Sequence, residues 1–237
     1  MARKKGPAAE QAYEIILNRI LSFELLPGDA VSDNALALKL DMSRTPIRVA
    51  MQRLVHEGLI INAGTKWVVA SLTLKDIAEI CQVREALESK AMELIFRNGG
   101  LSEAQAGELR ELNRQMAKYV EEKDYEHNFM CDDQFHAKIL IYSDNGRLIE
   151  LFNRLRLQIL RARWLTVYRS ADTYPQSLRE HEDIINGLLS GNIERTRECI
   201  GVHMRVAEEN FSTIFDSDNV DMPLKSLHLL GFGPARK

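Results

Sequence analysis

The sequence contains few cysteines, no long apolar run and no strong charge of either sign. Among its 237 residues the three cysteines, Cys81, Cys131 and Cys199, are too few and odd in number for a disulfide framework. No run of eighteen apolar residues occurs, and the basic start Met1–Lys5 is not followed by the apolar core of a signal peptide. These absences argue against a disulfide-stapled secreted domain or a membrane-spanning chain. They predict a cytoplasmic protein with no membrane partner.

The net charge of −3 does not by itself indicate nucleic-acid binding, but the charge is unevenly distributed. Residues 1–72 hold nine basic and seven acidic side chains, a net charge of +2, and the remainder of the chain carries −5. Any contact with nucleic acid is therefore expected in the N-terminal third of the chain.

The segment from Ser43 to Val55 predicts a short amphipathic helix. Ser43 or Thr45 can cap it, and Pro46 lies in its first turn, where a missing N–H costs no hydrogen bond. Apolar residues recur at helical spacing, at Ile47, Ala50, Met51, Leu54 and Val55. The other face carries side chains that suit phosphate and base contacts in a major groove, namely Arg44, Thr45, Arg48 and Gln52. With a second short helix predicted at Asp33–Leu40, the pattern predicts a helix-turn-helix.

This region resembles the winged-helix domain of GntR-type bacterial transcription regulators. The resemblance rests on Pro27–Gly28, Leu36–Ala37, Met42–Arg48, Leu54 and Glu57–Leu59. It implies a winged helix-turn-helix over residues 10–72 that binds a double-stranded DNA operator as a homodimer. The residues it places at the DNA are Ser43, Arg44, Thr45, Arg48 and Gln52, with Lys66 from the wing. The alternative is a solvated, charged helix of an unrelated helical protein.

The wing is predicted as a β-hairpin whose strands are Leu59–Ile61 and Trp67–Val69. Two positions depart from the family pattern. Asn34 stands where the family often has a basic residue, and Val49 stands where it usually has an acidic one. Both departures imply an operator that differs from the best-known family sites.

From Thr73 onward every periodic segment predicts a helix. Six helices are expected, at residues 73–97, 102–122, 125–142, 147–168, 177–189 and 193–215. Residues 1–9 are predicted to be a flexible basic arm, and 216–237 a loosely ordered tail in which 227–230 are the candidate docking residues. The predicted fold class is thus mostly α: a winged helix-turn-helix with a small β-hairpin, followed by an all-α six-helix bundle at 73–215.

Four side chains of the predicted bundle have the spacing of a metal site. Asp132 and His136 are four residues apart, so both project from one helical face. His181 and His203 lie at similar distances on either side of the turn at Gly191, so antiparallel packing would bring them to one level. Three imidazoles and one carboxylate suit Zn²⁺ or another borderline divalent ion. The alternative is that the histidines are ordinary buried polar groups.

Asp132–His136, Glu180–His181 and His203 resemble the effector domain of the FadR branch of GntR regulators, called the FCD domain, in its shorter, VanR-like form. The resemblance implies that Asp132, His136, His181 and His203 bind a divalent metal ion, which holds a small carboxylate effector. Zinc is the first candidate, with nickel, manganese and iron as alternatives. Arg84 matches a family arginine and is the candidate partner of the effector carboxylate, its alternative being a surface ion pair with Glu85 or Glu88.

Two other functions remain open from the sequence. A three-histidine, one-carboxylate centre in a helical bundle could activate water, as in a hydrolase-like metalloenzyme, although no nucleophile–base pair accompanies it. The four residues could also bind an effector directly, without a metal. Further candidates for the effector cavity are Cys199, Arg161 and Arg163.

Overall fold

The structure, a computed structural model, describes residues 7–64, 66–164 and 173–216, without the side chains of residues 163, 164 and 212–216. The described residues fall into two compact units, one ending at Thr73 and the other beginning at Leu74. Among the described helices, none is long and apolar enough to cross a bilayer.

The N-terminal unit is a winged helix-turn-helix, as predicted. It contains helices α1 (Pro7–Leu21), α2 (Asp33–Lys39) and α3 (Arg44–His56), and strands β1 (Ala30–Val31), β2 (Ile60–Ala63) and β3 (Lys66–Val69). Helix α3 occupies the centre of the unit because it packs on α1, α2 and β2 through its buried apolar stripe, Ile47, Ala50, Met51 and Leu54. This leaves its polar face outward.

The turn between α2 and α3 is fixed by local backbone geometry. The Ser32 side chain caps α2 by accepting a hydrogen bond from the backbone N–H of Ala35. Asp41 adopts a left-handed conformation with φ of 50°, which reverses the chain before α3. Ser43 occupies the N-cap position of α3 with an extended backbone, but its hydroxyl makes no capping hydrogen bond.

The wing is a three-stranded antiparallel sheet in the order β1-β3-β2. Strands β2 and β3 form the predicted hairpin, with Ile60 opposite Val69 and Ala63 opposite Lys66. Gly64 enables the tight connection because its φ of 74° is strained for other residues. Strand β1 was not predicted; it is two residues long and pairs with β3 at Val68 and Trp67.

The C-terminal unit is an all-α bundle. Its helices are α4 (Leu74–Arg97), α5 (Glu103–Glu121), α6 (Tyr125–Tyr142), α7 (Gly146–Trp164), α8 (Tyr174–Ser190) and α9 (Ile193–Asp216). Helix α4 packs on α6, α7 and α9, and α8 packs on α5 and α9. Helices α8 and α9 pack closely because Gly187, which has no side chain, faces Thr196. The chain turns between the two helices at Gly191, whose φ is 70°. Three helices that carry the predicted metal ligands, α6, α8 and α9, thus face a common core.

Two predicted boundaries were wrong. Helix α1 begins at Pro7, so residues 7–9, which were assigned to a flexible arm, are helical. Helix α8 begins at Tyr174 and not at Ser177, because Pro175 fits the first turn of a helix. Residues 1–6, the predicted end of α7 at 165–168, and the tail after 216 lie outside the described residues.

Candidate DNA-binding and metal-binding sites

The polar face of α3 is open to solvent. The side chains of Arg44 and Arg48 are 56% and 57% exposed. Every residue that was predicted at the DNA is exposed, namely Ser43, Arg44, Thr45, Arg48 and Gln52 on or beside α3, and Lys66 at the start of β3. These residues present guanidinium, hydroxyl, amide and ammonium donors, the groups that contact phosphates and base edges.

One carboxylate, which the sequence analysis gave no role, lies against both arginines. Arg44 Nη2 donates a hydrogen bond to Asp33 Oδ2 at 3.0 Å, and Arg48 Nε lies 4.0 Å from the same oxygen. The hydrogen bond from Arg44 lowers the pKa of Asp33, so the carboxylate is ionised at neutral pH. Before any DNA is bound, both cations therefore share a counter-charge that belongs to α2.

The structure brings the four predicted metal ligands together. The ligand atoms of His136, His181 and His203 all lie within 4.8 Å of one another, and all three residues are buried. Asp132 joins them, because its Oδ2 is 3.6 Å from His136 Nε2 and its Oδ1 is 3.5 Å from His181 Nε2. Metal–ligand bonds of about 2.0–2.2 Å at a tetrahedral centre place ligand atoms roughly 3.3–3.6 Å apart. The set therefore has nearly the spacing that such an ion needs.

The packing of the helices explains this convergence. Asp132 and His136 are one turn apart on α6, and His181 and His203 approach across the Gly191 turn with ring centroids 4.9 Å apart. Phe135 stacks on His181 with centroids 4.3 Å apart, which restricts the rotation of that imidazole. Among the described residues, His136 Nε2 is buried without a hydrogen-bond partner. A buried ring nitrogen without a hydrogen-bond partner is what we expect of a metal ligand.

Two further carboxylates fix the orientation of the imidazoles. Glu88 Oε2 lies 2.6 Å from His136 Nδ1, and Glu180 Oε2 lies 2.8 Å from His203 Nδ1. If each Nδ1 carries the proton and donates it to its carboxylate, each Nε2 keeps its lone pair for a metal. The sequence analysis assigned no role to either glutamate.

A signal for Glu88 was nevertheless present in the sequence. On α4 the buried stripe runs through Ile77, Cys81, Ala91 and Ile95, and Arg84 and Glu88 occupy its middle. Charged residues inside an otherwise apolar stripe are rarely buried unless they are paired or functional. For Glu180 the adjacent His181 was the only hint.

Burial favours the neutral form of His136 and His203. It lowers the pKa of His136 well below its usual value, and the nearby Arg84 guanidinium and the His203 imidazole act in the same direction. Burial also lowers the pKa of His203, although Glu180 partly opposes this effect. Neutral imidazoles have the lone pairs that coordinate metal ions.

A cavity of about 60 Å³ adjoins this cluster. It is lined by Arg84 of α4 and by polar and apolar side chains of α8 and α9, among them Glu180, His203, Ser177, Asn210 and Phe211. Arg84 is 4% exposed and its Nε donates to Glu88 Oε1 at 2.7 Å, so it forms a buried ion pair and not the surface pair considered as its alternative.

Two of the other cavity candidates do not border this space. Arg161 is buried on α7 and Cys199 is half-buried on α9, and neither lines the cavity. The side chain of Arg163 lies outside the described residues.

Comparisons with known proteins follow the same division of the chain. A model described as FCD domain matches residues 79–206, and one described as bacterial regulatory proteins, gntR family, matches residues 8–66. The chain is 26% identical over 235 residues to an uncharacterized HTH-type transcriptional regulator in unstable DNA locus of Streptomyces ambofaciens, covering 95% of this chain and 97% of that protein. It is 28% identical over 208 residues to the HTH-type transcriptional regulator YdhC of Bacillus subtilis, covering 84% and 89%. The solved structure of E. coli McbR/YncC has a TM-score of 0.71 at 20% identity, covering 89% of this chain and 100% of that one, which shows the shared fold.

Proposed function

Since the chain belongs to the GntR family of bacterial regulatory proteins, with an FCD domain after its DNA-binding domain, we propose that it binds a palindromic operator as a homodimer. It is a transcription regulator, because its domains and relatives are those of regulators and not of enzymes. We propose further that it responds to a small organic acid held at a divalent-metal site in the FCD domain.

The open face of α3 supports the proposal for DNA. Arg44, Thr45 and Arg48 would contact phosphates and base edges in the major groove, with Ser43 and Gln52 beside them and Lys66 following from the wing. One such helix covers only a half-site, since α3 is 13 residues long. Two copies related by a two-fold axis would therefore read the two halves of a palindrome.

The charge around the three imidazoles supports a divalent cation. Glu88, Asp132 and Glu180 contribute three carboxylates, against one guanidinium from Arg84. Acidic groups therefore outnumber the one permanent cation in this buried group, and a divalent ion would offset that excess. Three nitrogens and one oxygen suit zinc best, with nickel, manganese or iron as alternatives.

The cavity beside the cluster supports a small carboxylate as effector. Arg84 and His203 both line it, so an acid in this space could meet a guanidinium and a metal ion together. Such an effector would act through its different affinities for the states of the protein that bind DNA and do not bind it.

The observation that carries the effector proposal is the convergence of four predicted ligands beside an arginine-lined cavity. A thermal-shift screen of the purified full-length protein tests it, with divalent metals crossed against small carboxylic acids. A ligand at about 100 times its dissociation constant stabilises the folded state by about 2.7 kcal/mol, or roughly 5–10 °C for a chain of this size. We expect acids to raise the melting temperature only when a metal is present, and no metal-dependent shift would contradict the proposal.

Elemental analysis separates this proposal from direct binding of an effector without metal. The purified protein should contain about one divalent ion per chain, and His181→Ala should lose it. His127→Ala is a matched control, because His127 is an exposed histidine on α6 that lies apart from the cluster. The absence of a divalent ion from the wild-type protein would favour the metal-free alternative, and an ion retained by His181→Ala would contradict the role of His181 as a ligand.

The DNA half is tested by Arg48→Ala. Removing a side chain that contacts DNA should weaken binding to a selected operator duplex by about 1–3 kcal/mol, which is roughly 5–150-fold. Arg147→Ala is the control, since it removes an equally charged, exposed side chain from the N-terminus of α7. Unchanged affinity of Arg48→Ala in a gel-shift titration would contradict the proposed role of α3.

A further inference from the structure

Glu88 is a fully buried carboxylate that joins the two halves of the proposed effector site. Its Oε1 accepts a hydrogen bond from Arg84 Nε at 2.7 Å, and its Oε2 lies 2.6 Å from His136 Nδ1. Glu88 and His136 have no exposed side-chain surface, and that of Arg84 is 5% exposed. One carboxylate on α4 therefore contacts the candidate effector arginine on its own helix and a candidate metal ligand on α6.

The contact with His136 determines which ring nitrogen can bind a metal. A carboxylate accepts hydrogen bonds, so it favours the imidazole tautomer with the proton on Nδ1. In that tautomer Nε2, which lies 3.6 Å from Asp132 Oδ2, carries the lone pair. In the other tautomer Nε2 would carry a proton and could not coordinate a metal ion.

The contact with Arg84 determines how the guanidinium can meet an anion. A guanidinium binds a carboxylate bidentately either through Nε and one terminal nitrogen or through its two terminal nitrogens. Glu88 engages Nε, which leaves Nη1 and Nη2 for the cavity that Arg84 lines.

We propose that Glu88 is a positioning residue for both parts of the effector site, fixing His136 in the metal-binding tautomer and Arg84 for end-on capture of a carboxylate. The inference rests on the proposed function for its ligands. The orientations of His136 and Arg84 are therefore coupled, because both side chains contact the same Glu88 carboxylate.

Glu88→Gln probes this arrangement, since glutamine has nearly the same shape but offers one acceptor oxygen and one NH₂ group. It cannot accept from Arg84 and His136 at the same two positions. Glu93→Gln is the matched control, because Glu93 lies on the same helix and pairs with the partly exposed side chains of Lys90, Arg97 and Arg197 instead of with the cluster.

The first measurement needs neither a metal nor a variant. Long-range ¹H–¹⁵N spectra of the metal-free full-length protein should show His136 as the single tautomer protonated on Nδ1. They should also show a slowly exchanging Arg84 Nε–H. A His136 resonance of the Nε2-protonated form, or a mixture of both forms, would overturn the inference.

The second measurement is the affinity for Zn²⁺ and Ni²⁺, determined by competition with a chelating dye. We expect Glu88→Gln to bind each ion about 10–100-fold more weakly than the wild-type protein, the usual effect of removing a carboxylate that orients a ligand histidine. Its spectra should also lose the single His136 tautomer and the protected Arg84 Nε–H, while Glu93→Gln retains both. Metal affinity of Glu88→Gln within twofold of the wild type would overturn the inference.

The two experiments distinguish this inference from the proposed function. If the wild-type protein binds neither ion, the metal-dependent function fails, and the tautomer and the Arg84 signal in that same protein still decide the role of Glu88. If Glu88→Gln does not fold, the wild-type spectra decide it in the same way.

Discussion

Replacement of Asp33 by asparagine should make the protein bind DNA more tightly and less selectively. The Asp33 carboxylate lies 3.0 Å from Arg44 Nη2 and 4.0 Å from Arg48 Nε, and Asp33 is the first residue of α2, which packs against α3. A DNA phosphate or base edge that engages either arginine must compete with this internal acceptor. Asparagine keeps the shape of the side chain but not its charge, so the competition weakens.

The size of the effect follows from the exposure of the pair. Both arginine side chains are more than half exposed, and ion pairs of this kind contribute about 0.2–1 kcal/mol each. If the hydrogen-bonded Arg44–Asp33 pair is counted once in each chain of the proposed homodimer, the substitution should strengthen binding by about 0.4–2 kcal/mol, which is roughly 2–30-fold. The gain should be larger on random DNA than on the operator, because Asp33 no longer restricts the arginine rotamers. The ratio of specific to non-specific affinity should therefore fall.

Fluorescence anisotropy with two labelled duplexes would test this, one carrying a site selected from a random library and one of unselected sequence. Affinities should be compared over a series of salt concentrations, since phosphate contacts are screened by salt. Glu14→Gln is the matched control, because it also removes one negative charge from the N-terminal unit. Glu14 is exposed on α1 and forms no ion pair with any other described residue. Unchanged or weaker binding of Asp33→Asn to the unselected duplex would refute the reasoning, as would an equal gain from Glu14→Gln.

Two further predictions concern stability. Gly187→Ala should lower the free energy of unfolding by up to about 2 kcal/mol, because a new Cβ would lie 2.9 Å from the Thr196 hydroxyl. Overpacking of this kind costs about 1–3 kcal/mol, which exceeds the gain of about 1 kcal/mol from the higher helix propensity of alanine. Gly107→Ala on α5 meets nothing within 4 Å and should instead stabilise; urea denaturation of the two variants would show shifts of the same sign if the packing argument is wrong. The hydrogen bond that His127 Nδ1 donates to Asp124 Oδ2 raises the pKa of His127. The stabilising contribution of this pair is therefore complete below the usual histidine pKa and is lost as the pH rises through the raised value. An NMR titration giving His127 an ordinary or lowered pKa would contradict this.

Helix boundaries were predicted best where a local capping signal exists. The capping box of Ser102 and Gln105 opens α5 as the sequence indicates, with both reciprocal hydrogen bonds present. The start of α1 was missed because its first turns are buried through small or amphipathic residues, Ala9, Ala12 and Tyr13, and a strong apolar pattern is found only further along. Strand β1 could not be predicted, since two residues carry no periodicity and their pairing with β3 is a tertiary contact.

In the candidate site, too, contacts within one helix or across one turn were predicted, and contacts between distant helices were not. Helical periodicity places Asp132 beside His136, and the count of residues from the Gly191 turn places His181 level with His203. Sequence spacing could not show that Glu88 on α4 would meet a histidine of α6, because that contact depends on how two distant helices pack. For the same reason, the composition of α2 does not reveal that its first carboxylate reaches the arginines of α3.

The buried polar cluster is itself an argument for a binding role. Arg84, Glu88, Asp132 and the three imidazoles occupy core positions that leucine or isoleucine could fill, and replacing buried ion pairs with packed apolar residues is often neutral or stabilising. The bundle already has a continuous apolar core from Ile80 to Met204, so the cluster is not needed to hold the helices together. Its His136 Nε2 is buried without a hydrogen-bond partner, and a cation bound there would engage this atom and offset the acidic excess. We therefore expect the free energy of unfolding of the C-terminal unit to rise when its proposed ligands bind, which is the coupling that the proposed ligand control needs.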